Sequence, residues 1–179
     1  MRHRPAVFCC GLVVVLTTVT ATAACGGSGE GASGTASPST SVQAQKYAKA
    51  RFVANAGLAA GATYQWIIKP YRAGAFKQGA EGRKLALVKA GLAGTFAYNR
   101  LRAAVDNAKA DPLLSKAVAP LAAGIDSLKE LGSKLRKGQA SDADIASAQN
   151  VLQDVKDAGQ SVGATVKEQV PSVGQLSGG

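Results

Sequence analysis

The residues able to do covalent or metal chemistry are few, and their positions narrow the options at once. The 179-residue chain has one His (His3), one Met (Met1) and three Cys, at Cys9, Cys10 and Cys25. Beyond residue 25 there is neither His nor Cys. A Cys/His zinc site, a Ser-His-Asp triad, a Cys-His dyad and a disulfide framework are therefore excluded from any domain built on the later residues. What remains is acid and amine. Glu81 stands among cations, and Asp126 and Glu130 lie four residues apart, on one face of a helix. Paired-carboxylate glycoside hydrolysis needs two acids converging in a cleft, and no pair here is singled out. Asp142 and Asp144 read instead as helix-start residues, where negative charge meets the helix dipole. Ser-Lys neighbours occur at Ser115-Lys116 and Ser133-Lys134, but adjacent residues on a helix point apart and cannot act together. The chain reads as non-enzymatic, with no cofactor and no metal ligand set.

Cys25 differs from these residues through its context. Arg2 and Arg4 precede an uncharged stretch, residues 6–24, whose apolar centre is Val13-Val14-Val15-Leu16 and whose end is small. A basic start, an apolar run and small residues before a cleavage point make residues 1–24 a secretory signal. Thr22-Ala23-Ala24-Cys25 resembles the lipobox of bacterial lipoproteins, and Gly26-Gly27-Ser28-Gly29 follows as a short tether. In its Ala- and Gly-rich style the chain is similar to actinobacterial lipoprotein precursors. The resemblance covers about the first thirty residues and leaves the rest unassigned. It implies that Cys25 is diacylated through its sulfur and becomes the new N-terminus. The protein would then be exported and lipid-anchored to the outer face of the cell membrane, with diacylglyceryl-Cys25 as the membrane contact. Without acylation, cleavage after the Ala21-Thr22-Ala23 run gives a secreted product. The physical chemistry agrees, since acylation removes an unpaired thiol and two chains hold a membrane where one is marginal. Residues 25–42 are Gly, Ser and Thr with little else, a composition that builds no core and reads as a flexible linker.

The elements that would position a site are helical. Residues 43–170 contain Pro only at Pro70, Pro112 and Pro120, and no alternating strand pattern appears. The first helix is expected over about Gln43–Lys69, with Ala48, Phe52, Ala56, Ala59, Thr63 and Ile67 inward, ended by Pro70. A loop, Tyr71–Ala80, leads to a second helix over about Glu81–Lys109, with Leu85, Val88, Leu92, Phe96 and Asn99 on one face. Asp111-Pro112 restarts the chain as N-cap and first turn. The third helix kinks at Pro120 and runs on through Ile125, Leu128, Leu131 and Leu135 to a Gly138 stop. Ser141 and Asp144 form a capping-box pair for the fourth helix, with Ile145, Ala148, Leu152, Val155, Val162 and Val166 inward. Residues 171–179 are expected to fray as a disordered tail. The expected fold is all-α, an antiparallel bundle of about four helices over residues 43–170, after a signal peptide and linker. Gly57 and Gly61, with Ala86, Ala90 and Gly94 opposite, suggest close helix contact. The uncharged run Phe52–Ile68 is at the lower limit for a membrane span and contains Asn55 and Gln65, so a buried hairpin is expected there.

Charge is the remaining clue to function. Ten cations between Gln43 and Arg100 face Glu81 alone, a net +9, whereas the chain from Gly138 onward is −3. The densest group is Lys69, Arg72, Lys77, Arg83 and Lys84 around the first loop, interleaved with Tyr71 and Phe76. Such asymmetry speaks of partners, not of fold. The expected function is a non-enzymatic envelope binding or scaffold module whose basic hairpin faces anionic lipid or a wall polymer. The alternative is a small-molecule or lipid carrier with an apolar slot between helices, left or closed by small residues such as Ala60, Ala90 and Gly94. No base-reading module is present, and sequence-specific nucleic-acid binding is not expected.

Overall fold

The computed structural model describes residues 38–178, so Cys25, the signal segment and most of the linker lie outside the described residues. Helix α1 spans Pro38–Thr63 and passes through a π turn, Tyr64–Ile68, into α2, Lys69–Arg72. Then come α3 (Arg83–Ala108), α4 (Pro112–Val118), a 3-10 turn (Ala119–Leu121), α5 (Ala122–Lys137), α6 (Asp142–Ser161) and α7 (Val173–Ser177). The architecture is an all-α bundle: α3 lies at its centre against both α1 and α5, and α6 packs on α5, α4 and α1.

Local chemistry sets most of the boundaries. Pro38 opens α1 ahead of the expected Gln43, at a position where its missing N–H costs nothing. Asp111 caps α4, its Oδ1 accepting from the Leu113 and Leu114 amides at 3.0 and 3.1 Å. Pro120 produces the 3-10 turn between α4 and α5. Gly138, at φ 69°, closes α5 by a Schellman motif in which the Gln139 and Gly138 amides donate to Lys134 O and Leu135 O. Ser141 and Asp144 make the reciprocal capping box at the start of α6.

Pro70 does not end the first helix. The π turn immediately before it, in which the Lys69 amide donates to Tyr64 O, widens the helix where the proline ring would otherwise press on the carbonyl four residues back. The chain therefore stays helical to Arg72 and stops at Gly74, φ 74°. From Pro38 to Arg72 this rod is roughly 50 Å long at about 1.5 Å per residue.

The inward face of α3 differs in part from expectation: Phe96 is buried and Leu92 half-buried against the core as expected, but the face is otherwise rotated. Leu85 and Val88 are 59% and 52% exposed and Asn99 is exposed, while Leu87, Ala90, Gly91, Gly94, Ala97, Leu101 and Ala104 are buried. Small residues let α3 be approached from two sides. On one side α5 comes so close that a Cβ on Gly94 would lie 2.7 Å from the Gly132 Cα. On the other, Ala56, Ala59 and Ala60 of α1 are buried in the same core as Ala90 and Ala93. Phe52, Phe96, Ile67, Leu114, Leu128 and Leu135 are among the large, fully buried side chains.

Gly57 and Gly61 serve another partner than the expected helix. Helix α6 ends at Ser161, short of Val166, because Gly163 turns the chain at φ 73°. The following segment runs back along α1 as an extended strap. The Gln169 amide donates to Gly57 O at 2.9 Å, and a Cβ on Gly61 would collide with the Gln169 carbonyl. Lys49 Nζ donates to Val162 O at 2.9 Å, and Trp66 Nε1 donates to Pro171 O at 3.2 Å. Instead of fraying, the residues after the strap carry α7, with its own Ser172–Gln175 capping box and Leu176 buried. Pro171 is fully buried too. Gly61→Ala should cost about 1–3 kcal/mol by forcing the strap off α1, while Gly174→Ala, with open space around it, should change stability by less than about 1 kcal/mol. Urea unfolding of the two variants beside the parent checks this, and equal midpoints for all three would refute it.

Candidate functional site

The hairpin end of the bundle, where α2 turns into α3, carries the basic group. Its loop is ordered by successive turns, with Gly74, Gly79 and Gly82 all at positive φ and backbone bonds from Ala75 N to Pro70 O, Lys77 N to Gly74 O and Ala80 N to Lys77 O. Of the five cations expected to act together, Lys69, Arg72, Lys77 and Lys84 are exposed. Arg83 is not equivalent to them: it is half-buried, its Nε donates to Phe76 O at 2.8 Å, and its guanidinium lies against Gly138. It ties the loop to the α5 terminus, which makes it a structural residue of the hairpin.

Two clefts flank this end. The outer one, about 230 Å3, lies between the π turn and the start of α3 and is lined by Trp66, Pro70, Gly82, Leu85, Ala86 and Lys89. Lys89 Nζ sits 5.7 Å above the Trp66 ring, an attractive cation–π placement. Leu85 and Val88 therefore belong to an exposed apolar edge bordered by cations. The inner cleft, about 510 Å3, is lined by Tyr71, Arg72, Phe76, Lys77, Ala140 and Asp142. The structure thus brings Arg72 and Lys77 into one cleft and joins to them two residues from the α5–α6 turn, Ala140 and Asp142. Nothing in the linear sequence signalled that pairing, because it depends on how far α5 runs before Gly138. Lys89 was legible only as an interruption of an apolar run.

Four acids elsewhere are held in ion pairs. Among the described residues, Asp111 lies 3.6 Å from Lys49, Lys109 pairs with Asp106 at 2.7 Å, and both Lys134–Asp144 and Lys156–Glu168 meet at 2.6 Å. None of these pairs involves Lys69, Arg72, Lys77 or Lys84. On the last long helix Asp144 is paired, while Asp142, Asp154 and Asp157, like the four hairpin cations, make no ion pair among the described residues. A further groove of about 450 Å3 near the start of α5 contains Tyr98, Arg102, Asp106 and Asp126. In it Arg102 Nη1 donates to the Tyr98 hydroxyl at 3.2 Å, and Asp106 pairs with Lys109. Asp126 is exposed on this groove, and Glu81 and Glu130 are exposed as well. Lys134, one half of a Ser-Lys neighbour pair, is held by Asp144. The helices close on one another at Ala60, Ala90 and Gly94, all buried, and the clefts described here are open to the surface. No helix among the described residues is long and apolar enough to cross a membrane. Compared with known protein families, curated proteins and solved structures, the chain matches none.

The most displaced titration is that of Asp144. Hydrogen bonds from Lys134 and from the Ser141 hydroxyl and amide hold its carboxyl at about 2, below its ordinary 3.8. A depressed carboxylate stabilises the fold above its unfolded pKa, and that contribution is lost as pH falls from about 4 toward about 2. Asp144→Asn should therefore lower stability at pH 7 by about 1–2 kcal/mol, allowing for the partial exposure of Lys134. The gap between parent and variant should narrow from pH 4 downward and close only below pH 2. Urea midpoints across this range test it, and a gap independent of pH would contradict the assignment.

Proposed function

We propose that this chain is a lipid-anchored, extracytoplasmic protein of the bacterial envelope, acting without catalysis, whose basic hairpin docks on an anionic membrane surface. The observation that carries this reading is the company of four exposed cations, Lys69, Arg72, Lys77 and Lys84, none in an ion pair among the described residues, beside outward Leu85 and Val88. Cations supply long-range attraction to anionic headgroups, and apolar side chains reach below them. The described helical rod begins at Pro38 and reaches the hairpin roughly 50 Å later, so a bundle lying along a bilayer presents the whole length of the rod to the lipid. The carrier alternative draws no comparable support, since at Ala60, Ala90 and Gly94 the helices leave no slot.

Two experiments test the parts separately. For docking, the chain lacking residues 1–24 and carrying Cys25→Ser is co-sedimented with phosphatidylglycerol-containing and neutral vesicles at low and high salt. Binding to the anionic vesicles alone, lost in high salt, is expected. Lys69→Gln and Lys84→Gln should each weaken it about fivefold, the equivalent of about 1 kcal/mol per cation. Leu85→Ser should weaken it further at low salt. Absence of binding to anionic vesicles would sink the docking reading, and retention on wall-polymer chains instead would move the contact to the wall. For anchoring, the full chain expressed in a bacterial host should incorporate labelled acyl chains and fractionate with membranes, whereas Cys25→Ala should do neither; label retained in that variant would overturn the anchor.

A further inference from the structure

The inner cleft of the hairpin holds a combination of groups that surface docking does not require. It measures about 510 Å3, within the range of roughly 300–1,000 Å3 typical of small-ligand sites. Tyr71 and Phe76 line it with their ring centroids 6.2 Å apart and their planes tilted by 58°. Both rings are half-buried and pack against the core, so their exposed surfaces are held in place. Arg72 and Lys77 reach the same cleft from the α2 end and the loop, and Asp142 reaches it from the first turn of α6. These three side chains are exposed and make no ion pair among the described residues.

Each group selects against a simpler ligand. A bare anion would use Arg72 and Lys77 but would be opposed by the Asp142 carboxylate and would leave the rings unused. A neutral sugar or polyol could lay its C–H surface on the rings and donate hydroxyls to Asp142, but would leave two cations unspent. A ligand with an anionic phosphate at one end and a hydroxylated carbon frame at the other uses all five. We propose that this cleft binds a sugar- or polyol-phosphate group, with Arg72 and Lys77 on the phosphate, Asp142 accepting from hydroxyls, and Tyr71 and Phe76 against the carbon frame. The proposal rests on the hairpin being an anion-facing site, and it adds a ligand class and a second, carboxylate-dependent element of selection. The same chemistry can arrive as a lipid headgroup or as a free ester.

The test uses the chain lacking residues 1–24 with Cys25→Ser, titrated with glucose 1-phosphate, glycerol 1-phosphate, glucose and inorganic phosphate, and read by amide chemical-shift changes and calorimetry. Saturable binding of the two phosphate esters is expected, with shifts at residues 71–77 and 140–142, and weaker binding of glucose and of inorganic phosphate. Lys77→Gln should weaken ester binding about tenfold, as loss of a charge-assisted hydrogen bond does. Asp142→Asn should weaken the esters while strengthening inorganic phosphate, a reversal that a plain basic patch would not give. Tyr71→Leu should weaken the esters and Tyr71→Phe should not, which guards against a variant that merely misfolds. Inorganic phosphate binding as tightly as the esters, or shifts confined to residues 66–70 and 85–89, would overturn the proposal. Phosphatidylglycerol vesicles separate the sources: displacement by glycerol 1-phosphate identifies a headgroup in the cleft, and ester binding without vesicle binding identifies a free ester. Salt-sensitive vesicle binding that Asp142→Asn and Tyr71→Leu leave unchanged, with no ester binding, would remove the cleft and leave the docking surface standing.

Discussion

The structure depends on how closely other helices can approach α3. A central helix touched on two sides cannot present large side chains to both, and α3 meets the constraint with Ala90, Gly91, Ala93, Gly94, Ala97 and Ala104. At Gly94 and Gly132 two helix backbones come nearly into contact, a separation that any side chain would increase. Each such residue buries little apolar area, so stability must be gathered over length. That accounts for the long α1–α2 rod and the 26-residue α3, and for large residues such as Phe52 and Phe96 appearing singly. At Ala60, Ala90 and Gly94 the helices are buried against one another, and the clefts described above are open to the surface.

The parts of the fold legible in the sequence are those fixed by local chemistry. Asp111 before Pro112, Gly138 after a basic last turn, and Ser141 three residues before Asp144 each satisfy particular backbone groups, and each occurs where the residues indicate. The α5 stripe was equally plain, because Ile125, Leu128, Leu131 and Leu135 are its largest apolar residues and all turn inward. On α3 the same logic holds for Phe96 and fails for Leu85, Val88 and Asn99. Leu85 and Val88 are more apolar than Ala90 and Gly94, yet close approach favours the small pair and pushes the large pair outward. Asn99 followed the mistaken stripe. Pro70 misled for a different reason: a single widened turn relieves its clash, and nothing nearby in sequence marks a π turn. The strap and α7 were missed because their stability comes from α1 and α3, far away in the chain.

The candidate site was legible in outline only. Nearness in sequence sufficed to group Lys69, Arg72, Lys77, Arg83 and Lys84, since a tight loop keeps them at one end. Their division of labour depends on tertiary geometry. Arg83 becomes a brace through Phe76 O, and Arg72 and Lys77 acquire an acidic neighbour in Asp142, some sixty-five residues on or more in the chain. The acids at Asp111, Asp144 and Glu168 hold caps and inter-segment pairs together.

The strap has a kinetic consequence. Its bond from Gln169 to Gly57 joins residues separated by most of the described chain, and such contacts form only after a long loop has closed. Until the strap residues are free to fold back, the glycine-notched face of α1 lies open, and the chain is a set of paired helices without a clasp. Completion of the fold is thus coupled to the arrival of Val162 to Leu176, so a chain cut before them would keep its helices yet remain vulnerable to proteases and to other unfinished copies.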